Sequence, residues 1–279
     1  MTACGQPPAP REASAVTPVP IGAWQRDWIR RGGGAPDASV AVRYVQTPIV
    51  FGDVRTPADR PFVSRAASFA ELTDDELAAL AQQQGFAGTT TVAGATATWH
   101  HEIDFQPASD AADAGRIEPA GPGRMFEHAL DDSYVERWSL IDPAGGAAVD
   151  KFFAVRVARD GHTEQLLAVA GLHFVYARAR DTPLPAARSI RDAIAQTHAT
   201  RDQIIAYLDC EISYGRVSDW QIERSTLPWQ QGKRLGFADQ LAVDPGGQPR
   251  SRGAEAGEVW TVPVNTMTAA ELEALFAPP

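Results

Sequence analysis

The densest polar stretch of the chain is Trp99-His100-His101-Glu102-Ile103-Asp104-Phe105. On an extended strand Trp99, His101, Ile103 and Phe105 share one face, and His100, Glu102 and Asp104 share the other. If the apolar set faces a core, His101 sits among aromatic rings. There it can serve as a general base or as a hydrogen-bond donor to a ligand. The ordinary alternative is a satisfied core histidine. His100, Glu102 and Asp104 form a metal-ligand set on paper, but a flat strand spaces alternate side chains ~7 Å apart. A solvated outer face accounts for them, and neither a metal nor a cofactor is expected.

A second group lies further on. Tyr134, Glu136 and Trp138 share one strand face, as do Phe126, His128 and Leu130 on the preceding strand. If both faces point inward, His128 and Glu136 meet, and a buried acid and imidazole must be paired. In the opposite register Met125 and Val135 point inward and these residues point out. Asp53 and Arg55, at a strand end on the face of Ile49 and Phe51, read as an ion pair at a barrel mouth. Cys210, grouped with Ile212 and Tyr214, reads as a buried inert thiol. His173, opposite Leu172, Phe174 and Tyr176, reads as solvent-facing. Standard catalytic motifs are absent: there is no Gly-x-Gly-x-x-Gly, phosphate loop, Gly-x-Ser-x-Gly, Cys-x-x-Cys or His-Glu-x-x-His.

Composition bounds what these residues can serve. With 279 residues, 44% of them hydrophobic, the chain can bury a sizeable core. A formal charge of −10 argues against nucleic acid or an anionic membrane surface as partner. Only Lys151 and Lys233 are lysine among 25 basic residues, a bias typical of high-GC bacterial genomes. Two cysteines, Cys4 and Cys210, suit a reducing cytoplasm, and no apolar run reaches the ~20 residues of a membrane span. The start, Met-Thr-Ala-Cys-Gly before a Pro/Ala-rich stretch, also resembles the end of a lipoprotein signal. Translation from further upstream would make the protein lipid-anchored at Cys4.

The elements that must position these groups are mostly strands. Residues 1–20, with five prolines, read as a disordered tail. Ala23–Arg30 is a strand with Trp24, Arg26, Trp28 and Arg30 on one face. Val40–Arg55 is a hairpin turning at Thr47-Pro48, and Gly52 within it suggests a bulge or barrel corner. A helix begins at a capping box, Thr73 to Glu76, carries Leu72, Leu77 and Leu80, and ends at Gly85. Hairpins at 86–105 and 124–141 bring the first half to about seven strands. The second half repeats the order: strand 151–159, hairpin 165–180, helix 189–207 broken near His198, hairpin 209–227, then coil, a strand at 258–264 and a closing helix. The expected fold is all-β with minor helices, two lipocalin-like antiparallel barrels packed together. The divisions are a tail (1–20), a first barrel (21–146) and a second barrel with a C-terminal helix (147–279).

Several segments, Gln165–Arg180, Leu208–Arg216 with its Ile-Ser-Tyr-Gly, Trp220–Arg224 and the acidic-aromatic Ser133–Trp138, resemble a two-barrel, lipocalin-like (calycin) family. That family is typified by a fungal casein-kinase-interacting protein and has bacterial relatives. The resemblance implies a double barrel with no assigned activity and no cofactor, and the kinase partner does not carry over. The expected function is binding of a small, largely apolar molecule inside the first barrel, by Tyr44, Trp99, His101, Phe126, His128, Glu136 and Trp138. One alternative is a cofactor-free isomerase, cyclase or hydratase using His101 or His128 with Glu136. The other is a scaffold or regulatory protein with no ligand.

Overall fold

The computed structural model describes residues 20–58, 60, 65–141 and 149–277. Most of the expected tail, the anchoring position Cys4 and the junction between the halves (142–148) lie outside these residues. Eight antiparallel strands close into a barrel in simple meander order: β1 (Gly22–Arg31), β2 (Val40–Gln46), β3 (Val50–Pro57), β4 (Gln84–Ala93), β5 (Thr96–Asp104), β6 (Asp113–Pro119), β7 (Arg124–Ala129) and β8 (Tyr134–Leu140), with β8 returning to β1. Helix α1 (Asp74–Leu80) opens on the expected Thr73–Glu76 capping box and buries Leu77 and Leu80. It stops before Gly85, which instead lies in β4 beneath Ile212. The barrel strand that the sequence pattern does not mark is β6. Its Asp-Ala-Gly-Arg-Ile-Glu-Pro is poor in β-branched and aromatic residues, and tertiary pairing overrides that weak propensity.

Two bulges set which side chains enter the barrel. In β1 the pairing with β8 slips between Arg26 and Trp28, leaving Asp27 extra. Trp24 joins the inner cluster and Ile29 and Arg31 line the interior, while Trp28 turns out against Phe126. The expected shared face of Trp24, Arg26, Trp28 and Arg30 is therefore broken in the middle. In β5 the pairing with β4 slips at Glu102. Trp99 stays inside, but Ile103 and Phe105 pass to the outer core. Opposite this bulge a Cβ on Gly88 would stand 1.9 Å from the His100 carbonyl, so only glycine fits.

The second half forms an open sheet, not a second closed barrel. Its strands are β9 (Phe152–Arg159), β10 (His162–Ala170), β11 (His173–Arg178), β12 (Glu211–Arg216), β13 (Gln221–Ser225) and β16 (Val259–Asn265), with β14 (Leu241–Val243) and β15 (Pro249–Ser251) as a detached hairpin. The order β16-β9-β10-β11-β12-β13 matches β8-β1-β2-β3-β4-β5 of the barrel. Two strands are missing from closure, and the only strands at that point of the chain, β14 and β15, are three residues each. Helices α2 (Ile190–Thr197) and α3 (Arg201–Leu208) interrupt this half where α1 interrupts the first, with His198 left-handed at the break. The inner side is filled by Phe153, Val169, Phe174, Trp220, Phe237, and Leu272 and Phe276 of α4 (Ala269–Leu275) and its cap.

The other face of this sheet lies on the outside of the barrel, β10 and β11 against β2 and β3, and β12 against β4. Val45, Val54, Ala87 and Ile103 meet Ala168, Val175, Ala177 and Ile212 there. The sheet is therefore covered on both sides. Phe174 lies on one side of it, and Cys210, Ile212 and Tyr214 on the other. His173, expected to face solvent, is instead buried with its Nδ1 2.8 Å from the Tyr214 hydroxyl. Cys210 is a buried free thiol whose pKa burial pushes up to about 11. Gly52 marks neither bulge nor corner: a Cβ there would lie 2.5 Å from Val175 Cγ1. Because Val175 is stiff at χ1, Gly52→Ala is expected to cost about 1–3 kcal/mol through overpacking. Combined with Val175→Ala it should cost less than the sum of the two single changes, read from denaturant midpoints in a double-mutant cycle.

Candidate functional site

Alternation along the eight strands leaves an unfilled chamber of about 210 Å³ inside the barrel. Trp24, Val42, Phe51, Ala97 and Ile117 pack in one apolar cluster with its lining residues Tyr44, Trp99, Met125 and Trp138. There Trp99 Nε1 donates to the Tyr44 hydroxyl at 3.0 Å, and Tyr44 donates in turn to Gln46 Oε1. Burial drives the Tyr44 pKa well above the usual phenol range, so this hydroxyl is a fixed donor. Trp99, Trp138, Met125, Phe86 and Ile29 supply the apolar wall.

The rest of the chamber is charged, which departs from the expected largely apolar interior. Six of its thirteen lining residues are Arg31, Asp53, Arg55, Asp113, Glu127 and Glu136. Asp53 is buried and accepts three hydrogen bonds from Arg55, whose guanidinium also lies 4.7 Å above the Phe86 ring. Burial works against the Arg55 charge, but Asp53 beside it holds its pKa above the usual range. Arg26 donates to Glu136 Oε1 at 2.5 Å, with both side chains buried. Glu127 faces Glu136 across the β7–β8 ladder. It accepts from the Tyr134 hydroxyl at 3.0 Å. Burial, then the charge of Glu136, pushes its pKa up to about 8. Glu136 Oε2 and Trp138 Nε1 are buried without hydrogen-bond partners among the described residues.

Of the residues singled out from sequence, Tyr44, Trp99, Glu136 and Trp138 line this chamber. His101 stands beside it, stacked at 4.1 Å on Phe86 and bonded to Asp104 (2.8 Å) and Asp113 (3.0 Å). Burial opposes its charge, but the two carboxylates outweigh that and raise its pKa to about 9. Both ring nitrogens are engaged, so His101 is a held imidazolium and offers no free base. Phe126 and His128 lie on the outer surface, where His128 meets Glu118 at 2.9 Å. His128 and Glu136 therefore do not come together: β8 points its Glu136 face inward, while β7 points in Met125, Glu127 and Ala129. The residue missed from sequence is Glu127. The signal was the Met125-x-Glu127-x-Ala129 alternation, whose Met and Ala mark an inner face. His100 bonds Thr91 on the outer surface, Glu102 reaches Arg156, and no metal-ligand cluster occurs among the described residues.

No protein-family model and no curated protein matches the chain. One solved structure similar to it is the crystal structure of the uncharacterised protein YLR301w from the yeast Saccharomyces cerevisiae. It superposes over 88% of this chain and 98% of its own with a TM-score of 0.50 at 13% identity. At that identity the likeness is one of fold alone. No helix among the described residues is long and apolar enough to cross a membrane.

These pKa values give stability a definite slope with pH. The folded state holds a proton on Glu127 from the ordinary carboxyl pKa of 4.5 up to about 8, and on His101 from the ordinary imidazole pKa of 6.5 up to about 9. Both raised values stabilise the fold at low pH, and both contributions fade as pH rises through those windows. Unfolding free energy should thus fall steadily between pH 5 and 9. His101 accounts for up to roughly 3 kcal/mol at about 1.4 kcal/mol per pKa unit. Glu127→Gln should flatten the part below pH 8 and His101→Asn the part above pH 7, measured by urea denaturation across pH.

Proposed function

We propose that the chain is a binding protein for a small molecule held inside the first barrel. The observation that carries this reading is the unfilled chamber with two buried polar atoms, Glu136 Oε2 and Trp138 Nε1, that have no hydrogen-bond partner among the described residues. Buried polar groups are ordinarily satisfied, and a site that leaves a donor and an acceptor open is prepared for something that supplies the complements. The chamber suits a ring with a short chain, since a cavity of ~150 Å³ takes a benzene. Its ligand is amphipathic, with one end on Trp99, Trp138 and Phe86 and a polar end among the carboxylates. In this reading residues 21–146 are the binding unit, and 147–279 a packed, related unit that braces it. The matching strand order supports that division.

A catalytic role for the histidines has little support, because His101 is held charged and His128 is outside. The ligand-free scaffold reading fits the second half, whose interior is filled, but leaves the open chamber unexplained. The test is native mass spectrometry of freshly purified protein, beside a variant that fills the chamber, Met125→Trp. The wild type should carry a ligand or bind one from a small aromatic library with quenching of tryptophan emission. Met125→Trp should lose at least tenfold in affinity while melting normally. Equal binding by both proteins would remove the chamber as the site.

A further inference from the structure

Resting on the reading of the barrel as a binding site, we propose that its ligand is a small organic cation, an ammonium group on a single-ring body, received by Glu127 and Glu136. The argument begins with charge. Arg55 is engaged by Asp53, Arg26 by Glu136 Oε1, and His101 by Asp104 and Asp113. Against these three cations stand five carboxylates, Asp53, Asp104, Asp113, Glu127 and Glu136, with Arg31 exposed at the rim. The surplus falls at one place. Glu127 has a tyrosine hydroxyl as its polar partner, and Glu136 has one buried oxygen with none among the described residues.

The two acids lie directly opposite each other on neighbouring strands, both side chains inside. A buried carboxylate without a partner is costly, and two facing ones repel. An ammonium between them relieves both penalties at once. An anionic ligand would add a further like charge to the same spot. The surroundings suit a cation in a second respect. Tyr134, Trp138 and Trp99 line the same chamber, and aromatic faces attract ammonium groups once water is excluded. Room for the ligand is also kept on the β6 side. A Cβ on Gly115 would come within 2.9 Å of Glu127 Cγ, so the glycine leaves the Glu127 side chain its space.

Binding is coupled to a proton. The groups that face Glu127 are Glu136 and Tyr134 from β8, Asp113 from β6, Arg55 from β3 and Tyr44 from β2, with Asp53 and Arg26 reaching it through Arg55 and Glu136. With the chamber unliganded, Glu127 keeps a proton up to about pH 8. An entering ammonium displaces it into solvent, one proton out for one cation in. Affinity therefore rises with pH up to about 8, by as much as tenfold per unit, and then levels.

The experiment compares three ring compounds of similar size on the full chain: benzyltrimethylammonium, 2-phenylethanol and 3-phenylpropionate. The first carries a permanent charge and does not titrate. Binding is followed by tryptophan quenching and by calorimetry at pH 6, 7 and 8, in two buffers of different ionisation enthalpy. The expected result is that the cation binds at least tenfold tighter than the other two, tightens with pH and releases up to one proton. Glu127→Gln mimics the protonated side chain and should fold normally. It should lose at least tenfold in cation affinity and all of the pH dependence, while His128→Ala on the outer surface binds as the wild type does. If the alcohol or the carboxylate binds as tightly as the cation, or the cation binds without proton release, the cation proposal is overturned and the barrel remains a binding site. If none of the three binds, the cation proposal falls as well. The Met125→Trp comparison then decides separately whether the chamber binds anything.

Discussion

The close approach of two sheets at Gly52 and Val175 governs the rest of the molecule. Where two pleated faces meet, side-chain volume sets their separation, and a glycine under a valine lets them come closer than usual. Small residues continue the seam on both sides, with Ala87 and Val45 on the barrel and Ala168 and Ala177 on the open sheet. The seam fixes one outer wall of the barrel over β2, β3 and β4. Those strands carry Tyr44, Asp53, Arg55 and Phe86 on their inner side. Polar ties at the margins lock the same seam: Arg156 and Thr163 to Glu102, Arg224 to Thr56, and Arg60 to the Ser225 carbonyl.

With that wall held, the chamber can tolerate charges that would otherwise be pushed to the surface. Ionised groups enter a low-dielectric interior only in pairs, and the Asp53–Arg55 and Arg26–Glu136 pairs obey this. Glu127 is the departure, and it meets the constraint by keeping its proton. The second half shows what the same strand order looks like without a chamber. There the volume is taken by Phe237, Leu272, Phe276 and Trp220, drawn partly from the C-terminal segment.

The sequence shows the elements far better than the directions in which their side chains point. Hairpin turns, the Thr73 cap and the helix break at His198 are written in local chemistry, and they occur where the residues place them. Face assignment rests on strict alternation, and one extra residue at Asp27 or Glu102 inverts everything beyond it. No local pattern marks either bulge except Gly88, which is explicable only once its partner is known. Closure of the second half depends on two strands whose segments, Leu241–Val243 and Pro249–Ser251, are too short to bridge the gap. In the site, Trp99 and Trp138 stand out by residue type, whereas the ordinary carboxyl of Glu127 becomes unusual only through burial beside a second acid.

Pairing of β1 with β8 joins Trp24 to Leu140, and pairing of β9 with β16 joins Phe153 to Asn265. Each half is thus completed by its last long strand returning to its first, across more than a hundred residues of chain. Contacts so distant in sequence recover the entropy of loop closure only at the end, which places folding among the slower β topologies. On the ribosome the wait is longer still. At ~5–20 residues per second, β1 stands with one edge unpaired for on the order of 6–23 s before β8 emerges. Arg26, Arg30 and Arg31 are spaced along that edge, charges of the kind that discourage a neighbouring nascent chain from pairing there first.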